Sequence, residues 1–251
     1  MTGDKGTAAS DEQRAARIDL AAAHRLAALN GFHEGVCNHF SLMLPGPEPR
    51  TLITPFGVHW SKMRASDLLL IDGEGQVLEG EGELELTAAC IHVAVHRAHP
   101  RAACVMHSHM PHATALTTLE DPRLLPLGQT SLKFYGDVAY DLDYRGLAED
   151  AEEGARIAAC LEDKRVLFMG NHGVMVVGAS VHETFDQLYY LERAAQLQVL
   201  AYSTGRPLSL VGENMAKATK AQMDAERELY SRKHFEALKR MLAEDAPGFA
   251  D

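Results

Sequence analysis

Ala103-Cys104-Val105-Met106-His107-Ser108-His109-Met110-Pro111 decides how the rest of this 251-residue chain is read. An apolar run ends in two histidines one residue apart, and a proline follows. Side chains at i and i+2 of an extended strand share a face, so His107 and His109 can present two imidazoles to one point. Pro111 takes the chain out of the strand at once, which places the pair at a strand end, where sites gather in open α/β sheets. Further on, Gly170-Asn171-His172-Gly173 supplies a third histidine on a turn between two glycines, which permit a close approach of backbone to ligand. Three protein ligands leave a position open for water or substrate, whereas a structural zinc is closed by four ligands rich in cysteine. His107, His109 and His172 are therefore read as a catalytic-type metal site.

Working outward, the helix and strand periods alternate along the chain. Residues 1 to about 10 are small and polar and are read as a flexible tail. Ser10 with Gln13 has the spacing of a capping box and opens a helix that Asn30-Gly31 ends. From Val36 to Leu70 short apolar runs separated by Pro and Gly read as strands, and 68–78 as a hairpin. Helices are expected over 87–98, from Pro111 through Leu119, and over 147–162. Strands are expected at 165–169 and 174–177, then a helix capped by Ser180 and Glu183 that ends at Thr204-Gly205. A last amphipathic helix over 213–242 is expected to pack on the domain or on a neighbouring subunit. The domain proper is drawn at 11–210, with 211–251 as the C-terminal extension.

Composition narrows the function. With 46% apolar and 24% charged residues, the chain can bury the core of one α/β domain. A net charge of −11 argues against a nucleic-acid or anionic-membrane partner, which would be repelled at long range. Cys37, Cys90, Cys104 and Cys160 form no CxxC pair, and no segment has the form of a signal peptide or an apolar membrane span. A cytoplasmic protein with reduced thiols is expected. Gly73-Glu74-Gly75 and Gly80-Glu81-Gly82 lack a P-loop lysine and are acidic, so no nucleotide is expected. His92 and His96 share a helix face, but Val93 stands where an HExxH site carries glutamate. That pair, and His33, His59, His182 and His234, are read as structural.

Cys37-Asn38-His39-Phe40-Ser41, Leu52-Ile53-Thr54-Pro55-Phe56-Gly57, His107-Ser108-His109-Met110-Pro111-His112-Ala113-Thr114-Ala115-Leu116 and Gly170-Asn171-His172-Gly173-Val174 together resemble the class II aldolase/adducin family. The likeness spans about residues 13–205. It implies a three-layer α/β/α sandwich around a mainly antiparallel sheet, assembled as a homotetramer with the site near a subunit boundary. It also implies that His107, His109 and His172 bind zinc, or manganese or iron, which polarises an enediolate during carbon–carbon cleavage or decarboxylation.

The departures from the family pattern matter as much. The position of the general acid/base carboxylate of the sugar-phosphate aldolases falls on Ala88, which cannot move a proton. The two hydroxyl residues before it become Leu86 and Thr87, Phe56 replaces a polar residue before Gly57, and Met43 stands where many relatives carry arginine. Each phosphate oxygen left unpaired on burial costs roughly 1–3 kcal/mol, so a sugar phosphate is a poor fit. The resemblance points to the adducin-like, bacterial-type branch that lacks the aldolase glutamate. Asn38, Gly57 and Thr87 remain as substrate-binding positions. Tyr140 falls near an interface tyrosine donor of the family, with Tyr135 as an alternative. Glu83 and Glu85 restore an acid/base only if their loop reaches the site. His112 is read either as a residue orienting a ligand or as a helix cap. Three functions compete: a metal-dependent lyase of a small hydroxy or keto acid, a non-haem iron oxygenase on the same scaffold, and a non-enzymatic adducin-like assembly module.

Overall fold

The computed structural model describes residues 4–99 and 101–251, with side chains from residue 11. The run that opens the reading is the strand β5 (Cys104–Ser108), buried along its whole length. A strand covered on both faces has no need of polar alternation, which is why it reads as continuous apolar sequence. Around it lie β1 (His39–Leu44), β2 (Arg50–Ile53), β3 (Leu69–Ile71) and β4 (Val77–Glu79) on one side. On the other lie β8 (Gly173–Gly178), β7 (Val166–Met169) and β6 (Val138–Asp141). The order is β4-β3-β2-β1-β5-β8-β7-β6, antiparallel throughout except for the parallel β6–β7 pair.

Helices close both faces, giving the expected α/β/α sandwich. α2 (Leu86–Ala98) and α5 (Ala151–Cys160) cover one, packing Ile91, Val95 and Ile157 on Val105, Leu167 and Met175. Gly154 lets these two helices cross closely, since a Cβ there would overlap the Cys90 carbonyl. The other face carries α1 (Asp4–Leu29), α3 (Pro111–Thr117), α4 (Gln129–Leu132), α6 (Val181–Ser203) and, after α7 (Glu213–Ala225), α8 (Arg227–Asp245). Leu20, Leu26, Phe185, Leu188 and Phe235 pack there on Phe40, Met106 and Phe168. Each such side chain contributes about 1.5–3 kcal/mol on full burial.

Several expectations shift. Residues 1–3 of the stretch read as a tail lie outside the described residues, as does the Ser10 side chain, but the backbone is already helical from Asp4. The single helix read over 213–242 is broken at Glu226 (φ −110°, ψ 4°). Ion pairs from Asp224 to Arg165, Lys220 and Arg227 fix the bend and turn α8 back onto its own domain. There Phe235 meets Phe185 at 5.7 Å between ring centroids. β6 and α4 were not anticipated. Ser180 caps α6 as read, accepting the Glu183 N–H.

Candidate metal centre

His107 is the penultimate residue of β5, on the face covered by α2 and opposite His39 of β1. Its Nδ1 lies 3.0 Å from the Val174 carbonyl, which can only accept, so Nδ1 carries the proton and Nε2 the lone pair. The next turn brings in His109, whose Nδ1 lies 2.5 Å from Glu34 Oε2 and donates to it by the same logic. The two Nε2 atoms then face each other at 3.2 Å. Two ligand nitrogens about 2.0–2.1 Å from a tetrahedral zinc stand about 3.3 Å apart, so the pair has the spacing of a shared cation.

His172 completes the group from the β7–β8 turn. Its ring centroid is 4.8 Å from that of His107 and 5.0 Å from that of His109. One ligand atom from each of the three rings lies within 4.8 Å of the others. The turn is built for this approach. Asn171 takes a left-handed φ of 54°, which Asn tolerates better than most residues. A Cβ on Gly173 would stand 2.5 Å from His109 Cδ2 and 2.8 Å from the Ser108 carbonyl, so only glycine lets the two ligand segments meet. Burial, reinforced by the neighbouring imidazoles, holds His107 well below the usual histidine range and His172 down to about 4. Neutral imidazole is the form that binds a divalent ion.

The other anticipated residues fare differently. Asn38 is buried, and its Oδ1 accepts the backbone N–H groups of Glu34 and His109 at 3.0 and 3.4 Å, so it ties together the two segments that carry them. Gly57 sits on an exposed turn with a left-handed φ of 84°. Thr87 donates its hydroxyl to both oxygens of Glu85 at 2.7 Å. Of the two loop glutamates, Glu85 draws close, with Oε2 3.7 Å from His39 Nε2.

Tyr140 is not brought to the histidines within the chain. Side chains alternate along β6, so Asp141 turns to Arg156, bonding it at 2.9 and 2.7 Å, while Tyr140 packs on Phe168. The Tyr140 hydroxyl accepts the Leu124 N–H at 3.0 Å. Tyr135 lies beyond the opposite end of β5, in a charged cavity with Asp137, Arg165 and Lys220. The aromatic ring at the site is Tyr144, 6.3 Å from His172 between centroids and half exposed. His112 serves as a cap partner: Glu192 of α6 accepts its Nδ1 at 2.7 Å and the N–H groups of His112 and Ala113 at 2.9 Å. His92 and His96 share a hydrogen bond to Ser41, at 2.5 and 2.7 Å, as structural residues do.

The family model for the class II aldolase and adducin N-terminal domain matches residues 18–199. This chain belongs to that family. A class II aldolase superfamily protein from Pseudomonas syringae of known structure is 33% identical, with a TM-score of 0.89 over 96% of each chain. The L-fuculose 1-phosphate aldolase of Glaciozyma antarctica is 27% identical, with a TM-score of 0.83 over 94% of this chain and 93% of the aldolase. Mouse alpha-adducin is 35% identical across 84% of this chain, which spans 29% of the adducin. These two solved structures share the overall fold of this chain, and the relatives named include both an aldolase and an adducin.

Proposed function

We propose that the chain is a divalent-metal-dependent carbon–carbon lyase that acts on a small hydroxy or keto acid by decarboxylation or retro-aldol cleavage. The observation that carries this reading is the pair of Nε2 lone pairs, fixed by the Val174 carbonyl and the Glu34 carboxylate, facing each other beside His172. Zinc is the preferred ion, with manganese or iron also suited to three imidazoles. When bound, the ion supplies a Lewis acid for negative charge developing on a substrate oxygen. Ala88 holds no proton, which favours decarboxylation, because breaking a C–CO2 bond requires an electron sink before it requires a base. Asn38, Gly57 and Thr87 are the proposed substrate-binding residues, Thr87 through its bond to Glu85, and Tyr140 would act only from a neighbouring subunit. Exposed Tyr144 beside His172, with Leu142 and Leu147 exposed in the same segment, suits a homotetramer with the site near a subunit boundary. Among the described residues no helix is long and apolar enough to cross a membrane, in keeping with a cytoplasmic enzyme.

The likeness to alpha-adducin and the alanine at position 88 favour one second reading, a non-enzymatic assembly module. Elemental analysis of protein purified without chelator separates them. One equivalent of zinc or manganese is expected, and iron would shift the assignment to an oxygenase. Failure to take up any of the three on titration would leave the assembly module. His109→Ala should abolish metal retention while the oligomer stays soluble; unchanged metal content would refute the site.

A further inference from the structure

Nothing in the sequence pairs His33 with His59, which stand 26 residues apart, yet the fold brings their rings together at the surface. Their Nε2 atoms lie 3.1 Å apart, with the ring centroids at 4.7 Å and the planes at 87°. His107 and His109, the pair at the metal centre, give 3.2 Å, 5.0 Å and 79°. A straight N–H···N hydrogen bond aims the rings along the line joining the nitrogens, which drives the centroids apart. The His33 and His59 centroids stand closer than those at the metal centre for nearly the same nitrogen spacing. Their rings are therefore inclined toward a common point, as two ligands of one cation are. Nitrogens 3.1 Å apart and each about 2.0–2.1 Å from zinc subtend roughly 100° at the ion, between the octahedral and tetrahedral angles.

Each ring is anchored by a buried aromatic beside it in sequence, Phe32 at 3% and Trp60 at 1% exposure. His59 also caps the short helical turn Trp60–Lys62. His33 Nδ1 is buried without a partner, so Nε2 is the nitrogen that ring can offer. Burial, reinforced by the nearby His59, holds His33 below the usual histidine range, so the ring is neutral at pH 7. His59 Nδ1 accepts the Ser61 N–H at 3.3 Å, which places the proton of the ion-free ring on Nε2, between the two imidazoles. Ser61 Oγ lies 2.8 Å from the same Nδ1 and accepts that proton once it moves across, which frees Nε2 for an ion. His59 is exposed, so water can fill the remaining coordination positions.

The structure assigns His33 and His59 to a second divalent-ion site, built from two imidazoles and water and sharing no ligand with His107, His109 and His172. Imidazole donors of this kind take zinc, nickel or copper(II) in preference to magnesium, calcium or manganese. With two protein ligands instead of three, the site holds its ion less tightly. Protein purified without added metal therefore keeps only the ion of the first centre.

The full chain, stripped with chelator and titrated calorimetrically with zinc chloride, should bind two equivalents, the second about tenfold or more weaker than the first. His59→Ala should lose the second equivalent and leave the first unchanged, and His33→Ala should lose the second as well. In nitrogen-15 NMR the second equivalent should shift the Nε2 signals of His33 and His59. A single equivalent in the unmodified chain would overturn the site. So would a second equivalent that leaves those two signals in place, or one that survives both substitutions as an adventitious ion only. Loss of the tighter class, with a weaker one that still depends on His59, would instead overturn the metal centre and leave this assignment standing.

Discussion

Glu34→Ala should weaken metal binding while leaving the fold as stable as before. The carboxylate does one thing in the structure that bears on the site: it accepts His109 Nδ1–H at 2.5 Å, fixing the tautomer and aiming Nε2 at the other ligands. Outer partners of this kind are worth roughly 10- to 100-fold in metal affinity. That corresponds to about 1.4–2.7 kcal/mol of binding free energy. The Glu34 side chain is itself 67% exposed, and substitutions at such positions usually change stability by no more than about 0.5 kcal/mol. Competition for zinc against a chromophoric chelator at neutral pH reads the first quantity, and urea unfolding of the metal-free protein reads the second. Glu34→Gln keeps an acceptor oxygen and should recover part of the loss. An affinity within about twofold of the wild type would show that His109 is oriented without Glu34. A loss of affinity matched by an equal loss of metal-free stability would make the residue structural. Either result refutes the reasoning.

Gly173→Ala places a methyl 2.5 Å from His109 Cδ2 and 2.8 Å from the Ser108 carbonyl, so something must move. It should cost about 1–3 kcal/mol in urea unfolding and lower zinc affinity more than Glu34→Ala does, because the ligand ring is displaced rather than merely unsupported. Acid sensitivity should trace to buried imidazoles such as His24, which is fully buried between the Leu20 carbonyl and Thr54 Oγ1, with burial lowering it from 6.5 to about 4. The unfolded chain takes up a proton that the native ring refuses, so this stability is present above about pH 6.5 and drains away toward pH 4, on the order of 3 kcal/mol. Urea midpoints at several pH values should show a flatter acid limb in His24→Gln; an unaltered limb would refute the assignment.

The features legible in the sequence are those with a local period. His107 and His109 were visible because a strand repeats every two residues and Pro111 marks its end, and His172 because glycines flank it. β6 escaped because Val138-Ala139-Tyr140-Asp141 is short and gains its identity only by pairing with β7. Without that pairing nothing says that Tyr140 faces Phe168 while Asp141 faces Arg156, so the sequence does not show that Tyr140 lies away from the histidines of its own chain. The helical period continues through Glu226, and the break there comes from Arg165, whose position depends on the folded sheet. Glu34 and the hydrogen bonds that run from His39 through His92 and Ser41 to His96 left no trace either, since each link joins residues far apart in sequence.

Ala88 shows how a departure from the family pattern is locked in by packing. Its methyl is buried against Ile53, Leu69 and Ile71 in a small core on β2 and β3. Ala88→Glu, the change that would restore the missing carboxylate on paper, pushes a long acidic side chain into that apolar cluster. An unpaired ionised group there costs several kcal/mol, so the residue should stay protonated in the native state. A raised native pKa means that the variant is least penalised below the ordinary Glu value of about 4.3 and loses stability as pH rises above it. Urea unfolding at acid and neutral pH should therefore show a deficit relative to the wild type that grows with pH, the opposite slope to that of the buried histidines. A variant as stable as the wild type at neutral pH would mean that the glutamate reaches an open, polar site. The proton-handling position of the sugar-phosphate aldolases would then still be open to a carboxylate here.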